Sequence, residues 1–324
     1  MRLIPTLRLL PLALLLAACA PVIESHLDTA RLPAATEFGP HNHRLEWWYL
    51  SSALPEDGLA FHWAIFRVLS PDLPVPGFFS NVMVTDLKTG QVTFQELKPG
   101  LGTASFPPLN LGHGGWTLTQ DSVNAPFKLE AGPLKLRLTP AKAPVIHPPG
   151  FSGAPETGFM AYQGITRLNF TGEVAGRPVQ GQAWFDHQWG TQVPGRSGVW
   201  DWFSIQLDNG QDVMVYRTRT PDGRVVQAIA SIVDAQGVAR AATNVTLEPA
   251  AEWTGRTGYR YPQSWRLKAD EFDLTVQAVR AEQELLSQTT RIAYWEGPVQ
   301  VTGTFQGGPA AGQGMMEIVG GTLP

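Results

Sequence analysis

Three features of this 324-residue sequence predict an all-β protein built as two tandem antiparallel barrels. Short runs rich in β-branched and aromatic residues recur along the whole chain, as many-stranded barrels require. They are punctuated by 33 glycines and 27 prolines, including the turn pairs Asp57-Gly58, Asn209-Gly210 and Asp222-Gly223. An internal repeat is the third feature. Residues 171–186, TGEVAGRPVQGQAWFD, align without a gap with residues 302–317, TGTFQGGPAAGQGMME, at an offset of 131.

The first 18 residues are set aside as a signal. Arg2 and Arg8 flank an apolar run that ends Leu16-Ala17-Ala18-Cys19 and is too short to span a membrane. The ending resembles the lipobox of bacterial lipoproteins, which implies that Cys19 becomes a lipidated first residue. Residues 19–36 are then expected to act as a tether. Cys19 is the only cysteine, so the mature chain has no disulfide, and stability must come from its core. With the signal removed, 22 basic side chains stand against 28 acidic ones, a net charge of −6. No Lys/Arg run appears, which argues against nucleic acid as a partner. The expected location is outside the cytoplasm, on a membrane, and the outer one if the host has two.

In chain order, strands are expected over Leu45–Leu50, Leu59–Leu69, Ser80–Leu87 and Val92–Leu97. After a Gly/Pro loop at 98–115 come Trp116–Thr119, Phe127–Glu130 and Leu134–Thr139. Residues 140–160 hold five prolines and read as a long bridging or functional loop. Strands resume at Ile165–Val174 and Val179–Asp186, then Trp200–Leu207, Val213–Thr218 and Val225–Val233. Later strands are Ser264–Lys268, Phe272–Val279, Arg291–Trp295, Val299–Phe305 and Gly314–Val319, and Ala281–Leu286 reads as a helical turn. A second correspondence supports duplication. Glu46-Trp47-Trp48, Asp57-Gly58 and Arg67 recur as Asp201-Trp202-Phe203, Asn209-Gly210 and Arg217. The two units are placed at 37–186 and 187–324, related by a pseudo-two-fold rotation.

The stretch 184–207 concentrates the chemistry, with Trp184, Trp189, Trp200 and Trp202 interleaved with Asp186, His187 and Asp201. Indoles seek burial and carboxylates seek water, so the mixture is costly unless the charge is hydrogen-bonded or used. Either turn-capping acids in a core seam or a ligand pocket satisfies that demand. Side chains alternate along a strand, so Gln182, Trp184 and Asp186 share one face, as Gln313, Met315 and Glu317 do in the repeat.

These motifs resemble the family that includes bacterial carotenoid 1,2-hydratase and the AttH-like secreted proteins. They are His43 with Glu46-Trp47-Trp48-Tyr49, Phe66-Arg67, Trp184 through Gly190, Asp201 through Leu207, Tyr261-Pro262 with Trp265, and Tyr294-Trp295-Glu296-Gly297. They cover almost the whole mature chain and match the AttH-like branch best. The resemblance implies two lipocalin-like barrels and, in its hydratase branch, an aspartate as catalytic acid, for which Asp186 is the candidate. Gly153 stands where several AttH-like proteins carry lysine, and Gln163 where serine is usual.

Hydration of an isolated alkene needs an acid that keeps its proton at neutral pH and a pocket that shelters a cation. Asp186, Glu46 and His187 are therefore expected to meet at a cavity near the barrel junction, with one proton held between the two acids. Trp47, Trp48, Tyr49, Trp184, Trp189, Trp202, Asp201, Trp295 and Glu296 are expected to bind a hydrophobic ligand of lipid or isoprenoid type. An acid paired with Arg67 or Arg217 is the structural alternative. A hydrolase would need a nucleophile elbow, which Gly195-Arg196-Ser197-Gly198 lacks the spacing to form. His41 and His43 with Glu46 have metal-ligand types, but no metal and no cofactor is expected. A non-catalytic lipid carrier, working with an ABC-type export permease, is the remaining alternative.

Overall fold

The computed structural model describes residues 22–323 except residue 194, and those residues form strands and turns with no helix. The signal and Cys19 lie outside the described residues. The strands of the first half are β1 (Leu45–Leu54), β2 (Leu59–Val68), β3 (Gly77–Asp86), β4 (Val92–Gly100), β5 (Gly102–Ser105), β6 (Asn110–His113), β7 (Trp116–Gln120), β8 (Phe127–Ala131), β9 (Leu134–Pro140), β10 (Val145–Ala154), β11 (Gly158–Val174) and β12 (Arg177–Gly190). The second half holds β13 (Val199–Leu207), β14 (Asp212–Arg219), β15 (Val225–Val233), β16 (Ala239–Ala241), β17 (Thr246–Thr254), β18 (Arg260–Ala269), β19 (Phe272–Ala278), β20 (Glu284–Ser287), β21 (Ile292–Phe305) and β22 (Gly308–Thr322).

The two halves form separate curled antiparallel sheets, one nearly closed and one a half-barrel, in a lipocalin-like arrangement. The first runs β4-β3-β2-β1-β12-β11-β9-β8-β7-β6-β5 and the second β16-β15-β14-β13-β22-β21-β19-β18-β17. Each strand of the second sheet has a counterpart at the same place in the first, and β5 and β6 are extra. The repeated hairpins are β11–β12 and β21–β22. Their turns, Ala175-Gly176 and Gln306-Gly307, take positive φ at both residues, at 51° and 75° and at 50° and 80°. This is the twist a two-residue hairpin turn needs. The repeat is thus one backbone device used twice.

Several segments differ from the sequence expectation. The Gly/Pro loop at 98–115 contains the short strands β5 and β6, and β17 was not anticipated, because its residues are mostly exposed and carry no apolar period. Ala281–Leu286 does not form a helical turn, since β20 pairs with β21 through Glu284↔Trp295. The five-proline segment contains β10, which pairs with β11 and reaches the second sheet, where His147 Nδ1 lies 2.7 Å from Ser231 Oγ. The chain before β1 is docked rather than a free tether. Glu24 N donates to Asn42 O at 2.6 Å, and Leu27 is buried against Ala161 and Trp189. The division expected after Asp186 falls inside β12, which pairs with β1 as far as Leu45↔Gly190.

Three cores follow from strand alternation. Trp48, Leu50, Phe61, Trp63 and Phe185 fill the first sheet's interior. Phe203, Ile205, Trp265 and Trp295 fill the second. Trp47, Tyr49, Trp184, Trp200, Trp202, Tyr216 and Tyr294 form a third layer between the sheets. Both interiors are packed with side chains, so space for a ligand is found in the middle layer.

Candidate active site

A cavity of about 670 Å³, its solvent mouth included, lies in that middle layer. Trp47, Phe66, Trp200, Trp202 and Ile292 supply apolar walls, and Asp186, Glu296 and Glu317 supply acids from both sheets. The register explains the convergence. Tyr49 opposes Asp186 across β1–β12, and Glu296 opposes Glu317 across β21–β22. The inward side chains of the two hairpins then face each other.

Asp186 is 3% exposed and accepts from Trp184 Nε1 at 2.7 Å and from the Tyr162 hydroxyl at 2.8 Å. Trp202 Nε1, from the second sheet, donates to the Tyr162 oxygen at 2.7 Å. Burial pushes the Asp186 carboxyl up to about 8, and the two hydrogen bonds, which favour the charged form, only partly offset it. Glu317 is likewise held well above the ordinary carboxylate range, first by burial and then by the charge of Glu296 opposite it. Glu296 accepts from the Tyr49 hydroxyl across the sheet interface, and its Oε2 lies 2.9 Å from His62 Nδ1. Asn81 Oδ1 and Gln188 Oε1 line the cavity and make no hydrogen bond within the protein. The site is therefore apolar-walled, with two carboxyls of raised pKa and two unpaired acceptors among its lining residues.

A model of the AttH-like family matches residues 26–321. The chain belongs to the AttH-like family. Its fold is similar to a crystal structure of an AttH protein from Nitrosomonas europaea, with 28% identity, a TM-score of 0.75, and coverage of 93% of this chain and 99% of that one. It is also similar to kievitone hydratase from Nectria haematococca, at 18% identity and a TM-score of 0.71, covering 94% and 98%. CghA, solved with Sch210972, aligns at 13% identity and a TM-score of 0.57, covering 94% and 97%. No curated protein matches the chain.

Within this AttH-like chain, Glu46 and His187 do not join Asp186. Glu46 pairs with Trp189 and Asp186 with Tyr49, an odd offset along β1, so the two acids project from opposite faces of the same sheet. The expected shared proton is therefore excluded by register, although the expected β1–β12 pairing is present. Glu46 lies instead at one end of the first sheet's interior. It accepts from His187 Nε2 at 2.8 Å, from His41 Nδ1 at 2.9 Å and from Arg67 Nη1 at 3.2 Å. Burial alone would raise its pKa, but the hydrogen bonds from His187 and His41 outweigh it and lower it.

His41, Glu46 and His187 have the donor types of a metal site, with ligand atoms within 4.8 Å of one another. The surroundings argue for hydrogen bonding instead. Gln163 Nε2 donates both to Glu37 O and to His187 Nδ1, which leaves the proton on Nε2, where it faces Glu46. A metal-bound Nε2 would need the opposite tautomer, and Arg67 already neutralises the carboxylate. His43 is apart from this group, its Nε2 3.4 Å from Glu24.

Of the residues expected to bind ligand, Trp47, Tyr49, Trp202 and Glu296 line the cavity, and Trp184 sits behind it as a donor to Asp186. The others do not line it. Trp48 stacks on His187 in the first interior, with centroids 4.6 Å apart, and Trp189 stacks on His41 at 3.8 Å. Trp295 belongs to the second interior and donates to Ala281 O. Asp201 is the counterpart of Glu46, fixed by Arg217 at 2.6 Å and Arg219 at 2.9 Å. His62, Tyr162, Trp200, Tyr216, Tyr294 and Glu317 were not assigned from sequence. For Glu317 the signal was present, since the repeat aligns it with Asp186.

Proposed function

We propose that the cavity between the sheets binds a hydrophobic, oxygen-bearing molecule and adds water to its carbon–carbon double bond. The observation that carries this reading is the Asp186 carboxyl buried in an indole-lined cavity, where burial pushes its pKa up to about 8. The unpaired acceptors Asn81 Oδ1 and Gln188 Oε1 suit a ligand hydroxyl. The fold likeness to kievitone hydratase is consistent with the same chemistry. Asp186 gives its proton to one alkene carbon, the π pair forming the new C–H bond. The adjacent carbon becomes cationic and is sheltered by the faces of Trp47, Trp200 and Trp202. A water oxygen bonds to that carbon, and its surplus proton passes to Glu296, from which solvent returns one to Asp186. The net change is the addition of one water.

The test is to extract hydrophobic compounds from the host's membranes, incubate them with the protein in D2O and analyse them by mass spectrometry. A product heavier by one D2O, with one deuterium fixed on carbon, is expected. Ligand that binds and returns unchanged would favour the carrier reading. We also read the Leu16-Ala17-Ala18-Cys19 ending, which resembles a lipobox, as the mark of a membrane-anchored lipoprotein. Changing Cys19→Ser is expected to move the protein from membrane to soluble fractions or to leave its signal uncleaved. A Cys19→Ser chain that still sediments as the mature form would reject the anchor.

A further inference from the structure

The cavity wall reaches toward the end of the molecule where the chain before β1 docks. Phe66, Thr290 and Glu317 are the less buried wall residues, and the first two lie beside the start of β1 and of β21. The docked segment reaches the same corner. Glu24 bridges to His43, and Arg44 O accepts from Leu69 N at 3.0 Å. Leu69 opens the loop between β2 and β3, Ser70–Pro76, which presents Leu73 at 42% and Val75 at 47% exposure. Just past this loop, Phe79 stacks on Phe66 with centroids 4.6 Å apart. The corresponding loop of the second sheet precedes Val225, which is 48% exposed. Trp47 faces Trp200 and Tyr49 faces Trp202, so both loops lie at one end.

We propose that this end rests on the lipid surface, with the Leu73–Val75 loop dipping into the interface and the cavity loading its ligand from the bilayer. The proposal rests on the reading of Cys19 as the lipid anchor, and not on the hydration chemistry. Cys19 is five residues from Glu24, a reach of no more than about 18 Å even when extended. An acylated Cys19 therefore cannot hold the membrane far from this corner. The opposite end, with the exposed Val238 in the turn between β15 and β16, must then face away. Two apolar side chains bind membranes weakly by themselves, but an anchor removes most of the entropic cost of bringing them there.

The experiment uses the full-length lipoprotein, purified in detergent and reconstituted into phosphatidylcholine–phosphatidylglycerol vesicles. Val75→Cys and Val238→Cys variants are each labelled with an environment-sensitive fluorophore, and intact mass confirms a single label. With nitroxide-bearing lipid in the vesicles, the label at position 75 is expected to shift to the blue and be quenched several-fold more than the label at 238. Equal quenching at both positions, in protein that floats with the vesicles, overturns the proposal and leaves the anchor standing. Protein that does not float overturns both.

Discussion

Asp186→Asn is expected to reduce turnover by about 10²- to 10⁴-fold, the usual contribution of a positioned general acid, while leaving ligand binding nearly intact. The amide is a close stand-in for the protonated carboxyl. Its oxygen can accept from Trp184 Nε1, while its NH2 would face the Tyr162 oxygen and the Tyr162 hydroxyl would have to turn its proton elsewhere. What is lost is the transferable proton. The same substitution should raise stability at alkaline pH. The folded carboxyl titrates at about 8 against an ordinary value of 3.8. The native state therefore holds a proton that the unfolded state releases across that window, and stability falls as pH rises from about 4 to 8. At about 1.4 kcal/mol per unit, the full effect is roughly 6 kcal/mol above pH 8. Asp186→Asn removes this cost, so its denaturant midpoint should exceed that of the parent at pH 9 and approach it near pH 4. Turnover that persists in the Asn variant would discard Asp186 as the acid.

That pairing of lost activity with gained stability is what a functional acid should show. A carboxyl retained for structure would be charged and partnered, and Asp201 illustrates the case. It sits in the same motif position as Glu46, and two arginines fix it. The sequence alone could not separate Asp186 from these two acids, since all three lie beside tryptophans near strand ends. The separation comes from register. Alternation assigns faces within a strand, but the face that meets a neighbouring strand depends on which residues are paired. A shift of one residue between β1 and β12 would have put Glu46 and Asp186 on the same face of the sheet. The β-rich fold, the paired hairpins and their glycine turns were legible because each is written in local chemistry, repeated at a fixed offset. Cross-sheet contacts such as Tyr49–Glu296 and Trp202–Tyr162 are not, since they join residues 247 and 40 positions apart. The Gly153 departure also has a local cause. Its φ is +105°, and an added Cβ would lie 2.0 Å from Gly158 O, so a lysine cannot occupy this backbone unchanged.

Glu46→Gln is expected to destabilise the protein by about 3–5 kcal/mol, the range seen when one partner of a buried ion pair is removed. The reason is what remains. Arg67 is only 8% exposed and would keep its charge without a counter-ion, and the His187 and His41 donors would lose a charged acceptor. A Glu46→Gln/Arg67→Gln double variant should recover part of the loss, because it removes the stranded charge. The parent's acid sensitivity should follow from the same cluster. Burial holds His187 down to about 4 against an ordinary 6.5, with Glu46 only partly opposing this. The unfolded state then takes up a proton that the native state refuses, so stability is lost as pH falls from about 6.5 toward 4. Glu46, whose pKa is lowered, adds to the loss below its ordinary 4.5. Urea midpoints at pH 7, pH 5 and pH 4 measure both effects. Turnover per folded molecule should change little, because Glu46 projects into the first sheet's interior, away from the cavity. A Glu46→Gln protein that folds as well as the parent but loses turnover would reverse this assignment and move the chemistry to the other face of β1.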